Sequence, residues 1–259
     1  MHNVFTDVYK YRQMIFSLVH KELRGRYKGS VLGFMWTFLN PFLQLVVYTF
    51  FFSVIMQQKI ERYYLFLFVG LVPWIFFRGS VSAGANCVLN YRSFVKKIYF
   101  PREVIPISFV TTQFVNMLYT FIVIFAVIAF TGHGVNPAAL LCLPLVMVLE
   151  YLLALGMTLL SSAVTVYVRD VAHILEILTM LWQFLTPIFY QMSRIPEEYL
   201  ALLRFNPMAA IIECYRIILY YKQVPDLGTL GIAVAMALFF LVFGEIVFSR
   251  LQRGFAENL

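Results

Sequence analysis

The chain has 259 residues, of which 61% are hydrophobic and only 13% are charged. Soluble globular domains carry about 25% charged residues, so this composition excludes an ordinary soluble fold and predicts an all-α polytopic membrane protein. The formal net charge of +7 does not indicate nucleic-acid binding, because the basic residues flank apolar segments, where the positive-inside rule predicts them.

The first predicted element is an amphipathic helix over residues 4–28. Its apolar and polar side chains fall on different faces at helical spacing. Such a helix lies in the membrane interface, in contact with lipid, instead of crossing the bilayer. Residues 1–28 are charged throughout and lack an apolar core, so no cleavable signal peptide is expected.

Six apolar segments follow that are predicted to cross a membrane as helices. They are residues 33–56, 64–89, 105–130, 138–166, 171–190 and 227–248. The second has an uninterrupted apolar part of only 14 residues, from Tyr64 to Phe77, whereas a span needs about 20. It is therefore expected to continue past Arg78 through a run of small residues, which permits close helix packing.

Between the fifth and sixth spans, residues 199–221 are apolar only in short pieces. Apolar stretches of about 10–14 residues favour re-entrant or interfacial helices over spans. We therefore predict two short helices that dip into the membrane from one side, with a break at Asn206-Pro207. Glu213 and Arg216 lie three residues apart and could pair on one helix face.

Six spans place both chain termini on the same side of the membrane. With the N-terminus in the cytoplasm, fourteen Lys and Arg residues lie inside and six lie outside. The positive-inside rule therefore predicts that both termini are cytoplasmic.

The motifs of common enzymes are missing from the sequence. It contains no G-x-x-x-x-G-K-[ST] phosphate loop, no H-E-x-x-H, no C-x-x-C and no G-x-S-x-G. The chain is therefore not expected to hydrolyse ATP by the phosphate-loop route, and no catalytic residue is predicted. The three cysteines and four histidines are scattered, so neither a disulfide framework nor a metal site is expected.

A basic block, residues 90–103, lies on the predicted cytoplasmic side between the second and third spans. Its charged and aromatic residues and its proline include Lys96, Lys97, Tyr99, Phe100, Pro101, Arg102 and Glu103. Exposed aromatic residues beside charges are typical anchors of a protein–protein contact. The alternative is a solvated loop that only sets topology, although topology requires the lysines and not the aromatic residues.

Glu150 lies near the middle of the fourth predicted span. An acidic residue at the membrane midplane is a functional candidate by default, and a proton-coupled secondary transporter would use one. The alternative is a hydrogen bond between helices, made by a protonated or partnered carboxyl group.

Aromatic residues make up 18% of the chain and are dense in the first and fifth spans. A ring face can pack on the apolar C–H face of a sugar, so some of these residues could line a conduit. The alternative is an aromatic belt or a lipid-facing surface. The lining candidates are Trp36, Phe38, Phe42, Tyr48, Trp182, Phe184 and Tyr190.

Motifs along nearly the whole chain resemble one family, the permease subunits of bacterial polysaccharide ABC exporters, which move O-antigen, capsule or teichoic-acid chains. The matching segments, in chain order, are KELRGRYKGSVLGFMWTFLNP (21–41), GLVPWIFF (70–77), NYRSFVKKIYFPREVIP (90–106), VYVRDVAHIL (166–175), FLTPIFY (184–190), FNPMAAIIECYR (205–216) and FAENL (255–259). The match is specific to the family and not to a particular glycan.

The resemblance implies six transmembrane helices, an N-terminal interface helix, a cytoplasmic coupling helix between spans two and three, and two re-entrant helices before span six. It implies that two permease copies pair and that two copies of a separate ATPase bind below them. ATP and Mg²⁺ would be held by that ATPase, and no cofactor is expected in this chain. The cargo would be a polysaccharide on a polyprenyl or other lipid carrier in the bacterial plasma (inner) membrane.

The resemblance also implies roles for particular residues. Movement of the ATPases would reach the permease through residues 90–103 and through the end of the interface helix, where the candidates are Arg24, Arg26 and Tyr27. Spans one and five would line the channel. The outer-gate candidates are Asn206, Pro207, Glu213 and Arg216. Arg78 and Arg169 are candidates to position the carrier pyrophosphate, because guanidinium groups suit phosphate.

Other functions stay open beside ATP-driven glycan export. One is a proton-coupled secondary transporter that uses Glu150, and another is an ABC exporter of a smaller lipid or drug. A membrane enzyme that processes glycans would need paired polar catalytic residues at one membrane face, and the sequence offers no convincing set.

Overall fold

A computed structural model of the chain describes residues 9–25, 29–196, 198–199, 203 and 205–259. Over these residues the fold is helical and contains no strand, which confirms the predicted all-α class. Five helical stretches in the described part are long and apolar enough to cross a membrane. They are Gly33–Ile55, Tyr63–Asn90, Val104–Phe130, Pro137–Tyr167 and Leu227–Gly254.

The helices are labelled in chain order. They are α1 (Arg12–Gly25), α2 (Trp36–Thr49), α3 (Tyr63–Ser82), α4 (Arg92–Lys97), α5 (Val104–Phe130), α6 (Leu143–Tyr167), α7 (Asp170–Leu185), α8 (Pro207–Leu219), α9 (Leu227–Leu251) and α10 (Phe255–Asn258). A wider π-helical turn, Phe50–Ile55, extends α2, and short helical turns continue α3 to Asn90. The single turn Pro137–Leu140 precedes α6.

Helix α3 lies at the centre of the packing. Its sequence is apolar on all sides, and a helix of this kind is stable only when its neighbours surround it. It contacts α2, α5, α6, α7 and α8, and the large side chains of Phe66, Trp74 and Phe77 are almost completely buried. The small-residue run after Arg78 stays helical, as the sequence predicts.

Hydroxyl side chains of α6 bind it to α3. Thr158 Oγ1 donates to the Ser80 carbonyl oxygen at 2.9 Å, and Ser161 Oγ donates to that of Val81 at 3.3 Å. Lipid solvates apolar helix faces as well as another helix does, so interhelical hydrogen bonds of this type help to hold helices together in a membrane. They hold the two helices in one rotation about their axes.

Helices α6 and α9 cross with their backbones in contact. A Cβ atom at Gly156 would meet the backbone of Phe240, and one at Gly244 would meet the Gly156 carbonyl. On α9 the fully buried Ala233 and Ala237 are also small. Small residues let helix backbones approach closely, which is a main source of packing energy in a bilayer.

Helix α7 is shorter than the predicted fifth span, residues 171–190. It ends at Leu185, because Thr186 precedes Pro187 and adopts an extended conformation. Its 16 residues reach about 24 Å at 1.5 Å per residue, less than the hydrocarbon thickness of about 30 Å. Residues 186–190 continue the chain without helical structure, and four of them are buried.

Helix α8 begins where the sequence predicts a break. Asn206 is its N-cap, with Oδ1 accepting from the Met208 N–H, and Pro207 is the first helical residue. Residues 200–202 and 204 of the predicted re-entrant region lie outside the described residues, as do residues 4–8 and 26–28 of the predicted interface helix.

The glycine contact predicts that one methyl group at Gly244 destabilises the fold. Gly244→Ala places a Cβ against the α6 backbone, so the helices must separate, and overpacking of this type costs about 1–3 kcal/mol. We expect a lower melting temperature for the detergent-solubilised protein, measured by fluorescence-detected size exclusion after heating.

Gly231→Ala is the matched control. It lies on the same helix, and a Cβ there has no atom within 4 Å, so this variant should melt at the wild-type temperature or slightly above it. Equal melting temperatures for the two variants would contradict the backbone contact.

Candidate functional site

The basic block, residues 90–103, presents one side chain prominently at the surface and is called the coupling segment below. Lys96 and Lys97 are exposed at the end of α4, and Tyr99 is 91% exposed. Phe100 differs from the sequence interpretation, which treated it as an exposed anchor: it is buried in the hydrophobic core. The surface anchor is therefore Tyr99, and Phe100 fixes the backbone beneath it.

Helix α1 is bound directly to the coupling segment. The Tyr91 hydroxyl donates to Glu22 Oε1 at 2.7 Å, and Lys21 Nζ lies 5.0 Å from the centre of the Tyr91 ring and 5.4 Å from that of Phe94. Burial raises the pKa of the Tyr91 phenol, and the hydrogen bond to Glu22 raises it further, so the phenol stays protonated and keeps donating.

At the C-terminal end of α1, Arg24 is exposed. The other two coupling candidates on this side, Arg26 and Tyr27, lie outside the described residues. Together, α1 and the coupling segment form one continuous surface.

The other end of the coupling segment is attached to the end of α9. Arg102 donates to the Gln252 carbonyl, and Gln252 Nε2 donates to Glu103 Oε1 at 2.6 Å. The Arg102 guanidinium lies 5.8 Å from the centre of the buried Phe255 ring. Arg102 and Glu103 therefore hold the segment in place instead of projecting from it, and the half-buried Pro101 leads into them.

Sequence reasoning missed Gln252, although the neighbouring FAENL segment was a signal. Its phenylalanine, Phe255, is completely buried and packs against Phe248 and Tyr167, with ring centres 5.5 and 6.4 Å away. The C-terminal residues thus form part of the support of the coupling segment.

A second constellation surrounds the end of α7 and is called the carbonyl clamp. It consists of Asn206, Arg216 and the residues they bind, 185–190. Asn206 Nδ2 donates to Thr186 Oγ1 at 2.9 Å and to the Leu185 carbonyl at 3.3 Å. Asn206 Oδ1 accepts from Trp182 Nε1 at 3.0 Å. The amide that caps α8 therefore also ties the last turn of α7 to α8.

Arg216 is the centre of the carbonyl clamp. Its completely buried guanidinium donates to the carbonyl oxygens of Pro187, of Ile188 at 2.5 Å and of Tyr190 at 3.3 Å. Its Cζ lies 3.7 Å from the centre of the Phe66 ring. The guanidinium hydrogen bonds go to backbone carbonyls, while Glu213, the partner suggested by the helical spacing, acts on Arg216 electrostatically.

The clamp answers a requirement of the backbone. The last carbonyls of a helix have no partner within it, and non-helical backbone at membrane depth is tolerated only where protein or water satisfies it. Thr186 Oγ1 donates to the Trp182 carbonyl at 2.8 Å, and the Tyr190 hydroxyl donates to that of Phe184 at 3.1 Å. With Asn206 and Arg216, these side chains bind most of the carbonyls that α7 leaves open.

The aromatic lining candidates fall into different environments. Phe42 and Phe184 are exposed, whereas Trp36, Phe38, Tyr48 and Tyr190 are half-buried. Trp182 packs inward, with ring centres 6.2 Å from Trp74 and 5.4 Å from Phe77. Through this packing and its hydrogen bond to Asn206, Trp182 joins α7 to α3 and α8.

The aromatic residues of the first and fifth spans meet at Phe189, which was not among the lining candidates. Its ring centre lies 5.1 Å from that of Tyr48 and 4.8 Å from that of Phe52, both in the first span. On the α7 side, Phe184 is 5.5 Å away. Phe189 thus joins the exposed faces of α2 and α7.

The remaining candidates lie apart from these two sites. Arg78 is half-buried on α3, and Arg169 is exposed at the start of α7. Glu150 is completely buried on α6 and accepts a 2.6 Å hydrogen bond from the Tyr215 hydroxyl of α8. This contact is the interhelical hydrogen bond considered above as the alternative to a proton carrier.

The clamp predicts that Arg216 is required for stability. Arg216→Gln leaves buried carbonyls without donors, each of which costs about 1–3 kcal/mol, so we expect a markedly lower melting temperature. Arg216→Lys should recover only part of it, because an ammonium cannot form the same fork. The exposed Arg250 supplies the control: Arg250→Gln should melt like the wild type. A stable Arg216→Gln protein would contradict the role of the clamp.

Comparison with known proteins gives the family. The profile of the ABC-2 type transporter family matches residues 13–220. The chain is 35% identical to the O-antigen export system permease protein RfbA of Myxococcus xanthus, over 98% of both chains. It is 30% identical to the protein of the same name from Klebsiella pneumoniae, over 93% of both.

A more distant relative is the polysialic acid transport protein KpsM of Escherichia coli, which is 25% identical over 77% of this chain and 78% of its own length. The five helical stretches that could cross a membrane are consistent with a family of membrane transporters. The predicted resemblance to the permease subunits of bacterial polysaccharide ABC exporters is thus confirmed, and the chain, a multi-pass membrane protein, belongs to the ABC-2 type transporter family.

Proposed function

We propose that the chain is the permease of an ATP-driven exporter that moves lipid-linked polysaccharide across the bacterial plasma membrane. The observation that carries this proposal is the similarity to an O-antigen export system permease along 98% of both chains. The region of similarity is long enough to include both the coupling segment and the carbonyl clamp.

In this proposal two copies of the chain form the channel, and two separate ATPase subunits bind ATP and Mg²⁺ below them. The exposed aromatic side chains of α2 and α7, among them Phe42 and Phe184, support a passage along these helices. A ring face can cover the C–H face of a sugar while the sugar hydroxyls bind elsewhere.

The proposed topology has six crossings and two cytoplasmic termini. Helix α7 together with residues 186–190 serves as the fifth crossing, and α8 is the second of two re-entrant helices before the last span. The excess of Lys and Arg on the predicted inner side supports this orientation. It places α1 and the coupling segment in the cytoplasm and the carbonyl clamp near the outer face.

Coupling follows from the attachments of the coupling segment. An ATPase that binds at Tyr99, α4 and the end of α1 would move a unit fastened to α9 through Gln252. We assign Asn206, Pro207 and Arg216 to the outer gate as the residues that hold its wall, residues 186–190. Glu213 is half-buried beside them. Arg78 and Arg169 stay candidates for the carrier pyrophosphate.

The contacts of Glu150 favour a packing role over proton transport. Its carboxyl lies between α6 and α8 and is bonded to Tyr215. An exporter of a smaller lipid or drug is the closer rival. Substrate-stimulated ATPase activity of the reconstituted complex tests it, because lipid-linked glycan should stimulate hydrolysis and small lipids should not.

Tyr99→Ala should weaken binding of the ATPase. Removing a central aromatic anchor from an interface costs about 2 kcal/mol or more, so we expect a clear loss of the ATPases encoded beside this chain when the tagged chain is purified. Phe100→Ala should instead lower the melting temperature, because that side chain is buried.

Tyr199→Ala is the control, since this tyrosine is exposed on the predicted outer side. It should retain the ATPase. If the wild type captured no ATPase in a detergent that keeps it folded, the ABC mechanism would be rejected. Full retention by Tyr99→Ala would remove only its role as an anchor.

Glu150→Gln should export normally. A glutamine oxygen still accepts the Tyr215 hydrogen bond, and the variant cannot carry a proton at this position. Export assayed in cells lacking the native copy measures this. Loss of export by a folded Glu150→Gln protein would favour the proton-coupled transporter.

A further inference from the structure

A cavity of about 120 Å³ lies between α2, α3 and α5, and both apolar and polar side chains line it. Three amide side chains line it: Asn40 from α2, and Gln113 and Asn116 from α5. Trp36 and Phe76 supply aromatic rings to the same wall. Asn40 is exposed as well as lining the cavity, so the cavity opens beside the first span.

Asn116 is unusual for a buried residue. Its side chain is 8% exposed, and neither Oδ1 nor Nδ2 has a hydrogen-bond partner among the described residues. The Thr120 hydroxyl, which also faces the cavity, donates to the Asn116 backbone carbonyl at 3.0 Å and is not bonded to the Asn116 side chain. Buried polar groups are normally paired, so this donor and acceptor are free for a molecule in the cavity.

The lining chemistry limits what that molecule can be. Among the residues that the structure describes, no charged side chain lines the cavity, so these residues offer no counter-charge to a phosphate or a metal ion. An amide presents a donor and an acceptor side by side, which matches neighbouring hydroxyl groups of a sugar. Aromatic faces suit the C–H surface of the same ring. The volume equals that of about four water molecules, enough for the hydroxyl edge of one sugar.

We propose that Asn40, Gln113 and Asn116 form a subsite for the hydroxyl groups of a neutral sugar residue of the passing glycan. The subsite rests on the proposed function, since it requires a glycan beside the first span. It would bind the sugar edge transiently while the channel aromatics cover its apolar face.

Asn116→Leu tests the subsite. Replacing an unpaired buried amide by an apolar group of similar volume is neutral or stabilising, so the melting temperature should not fall. Glycan export by cells lacking the native copy should fall about tenfold or more. The reason is that the sugar hydroxyl groups would lose the amide that binds them. Met117→Leu, which alters an apolar residue of the same cavity, should export like the wild type.

Asn116→Leu with wild-type export would overturn the subsite and leave the cavity as a place for water only. If the wild type with its ATPase exports no glycan, the proposed function itself fails and the subsite fails with it. The two failures are therefore distinguished by the wild-type assay.

A photo-crosslinking amino acid gives an independent readout. Benzoylphenylalanine at Asn40 should form a glycan adduct during export. At Leu118, which is exposed on α5 outside the cavity, it should form none. Equal labelling at the two positions would overturn the subsite.

Discussion

The donation of Arg216 to the carbonyl oxygens of Pro187, Ile188 and Tyr190 is the constraint on which the packing of α7 and α8 depends. Helix α7 is too short to cross a bilayer alone, and Pro187 prevents its extension. The chain beyond it must carry unpaired carbonyls through an apolar environment, where each costs several kcal/mol unless it is bonded. One buried guanidinium and the amide of Asn206 meet that requirement, so α7 and α8 form a single unit.

Contiguous contacts connect this unit to the opposite end of the molecule. The coupling segment is bonded to Gln252 at the end of α9. Helix α9 touches α6 backbone to backbone through the glycine crossing. Helix α6 reaches α8 through Glu150 and Tyr215, the residue before Arg216. In the proposed mechanism, a displacement of the coupling segment would pass to α8 along these contacts.

Sequence periodicity and composition anticipated the helical class and the extended second span, because lipid requires long apolar helices. Pro187 is a signal for the end of α7, but the apolar residues on both sides of it led to the prediction of a longer span. Helical spacing suggested Glu213 as the partner of Arg216, but it could not show that the guanidinium hydrogen bonds go to backbone carbonyls outside α8. The burial of Phe100 and the role of Gln252 depend on contacts between residues far apart in the chain, which local patterns do not contain.

Phe189 lies between the first span and α7, along which the proposed passage would run. Parting them breaks its ring contacts with Tyr48 and Phe52, which are worth about 1–3 kcal/mol together. An open passage along these helices would therefore lack contacts that the closed arrangement has. If the proposed passage runs here, the closed arrangement would be the resting one, and the partner ATPases would have to supply the energy that separates these rings.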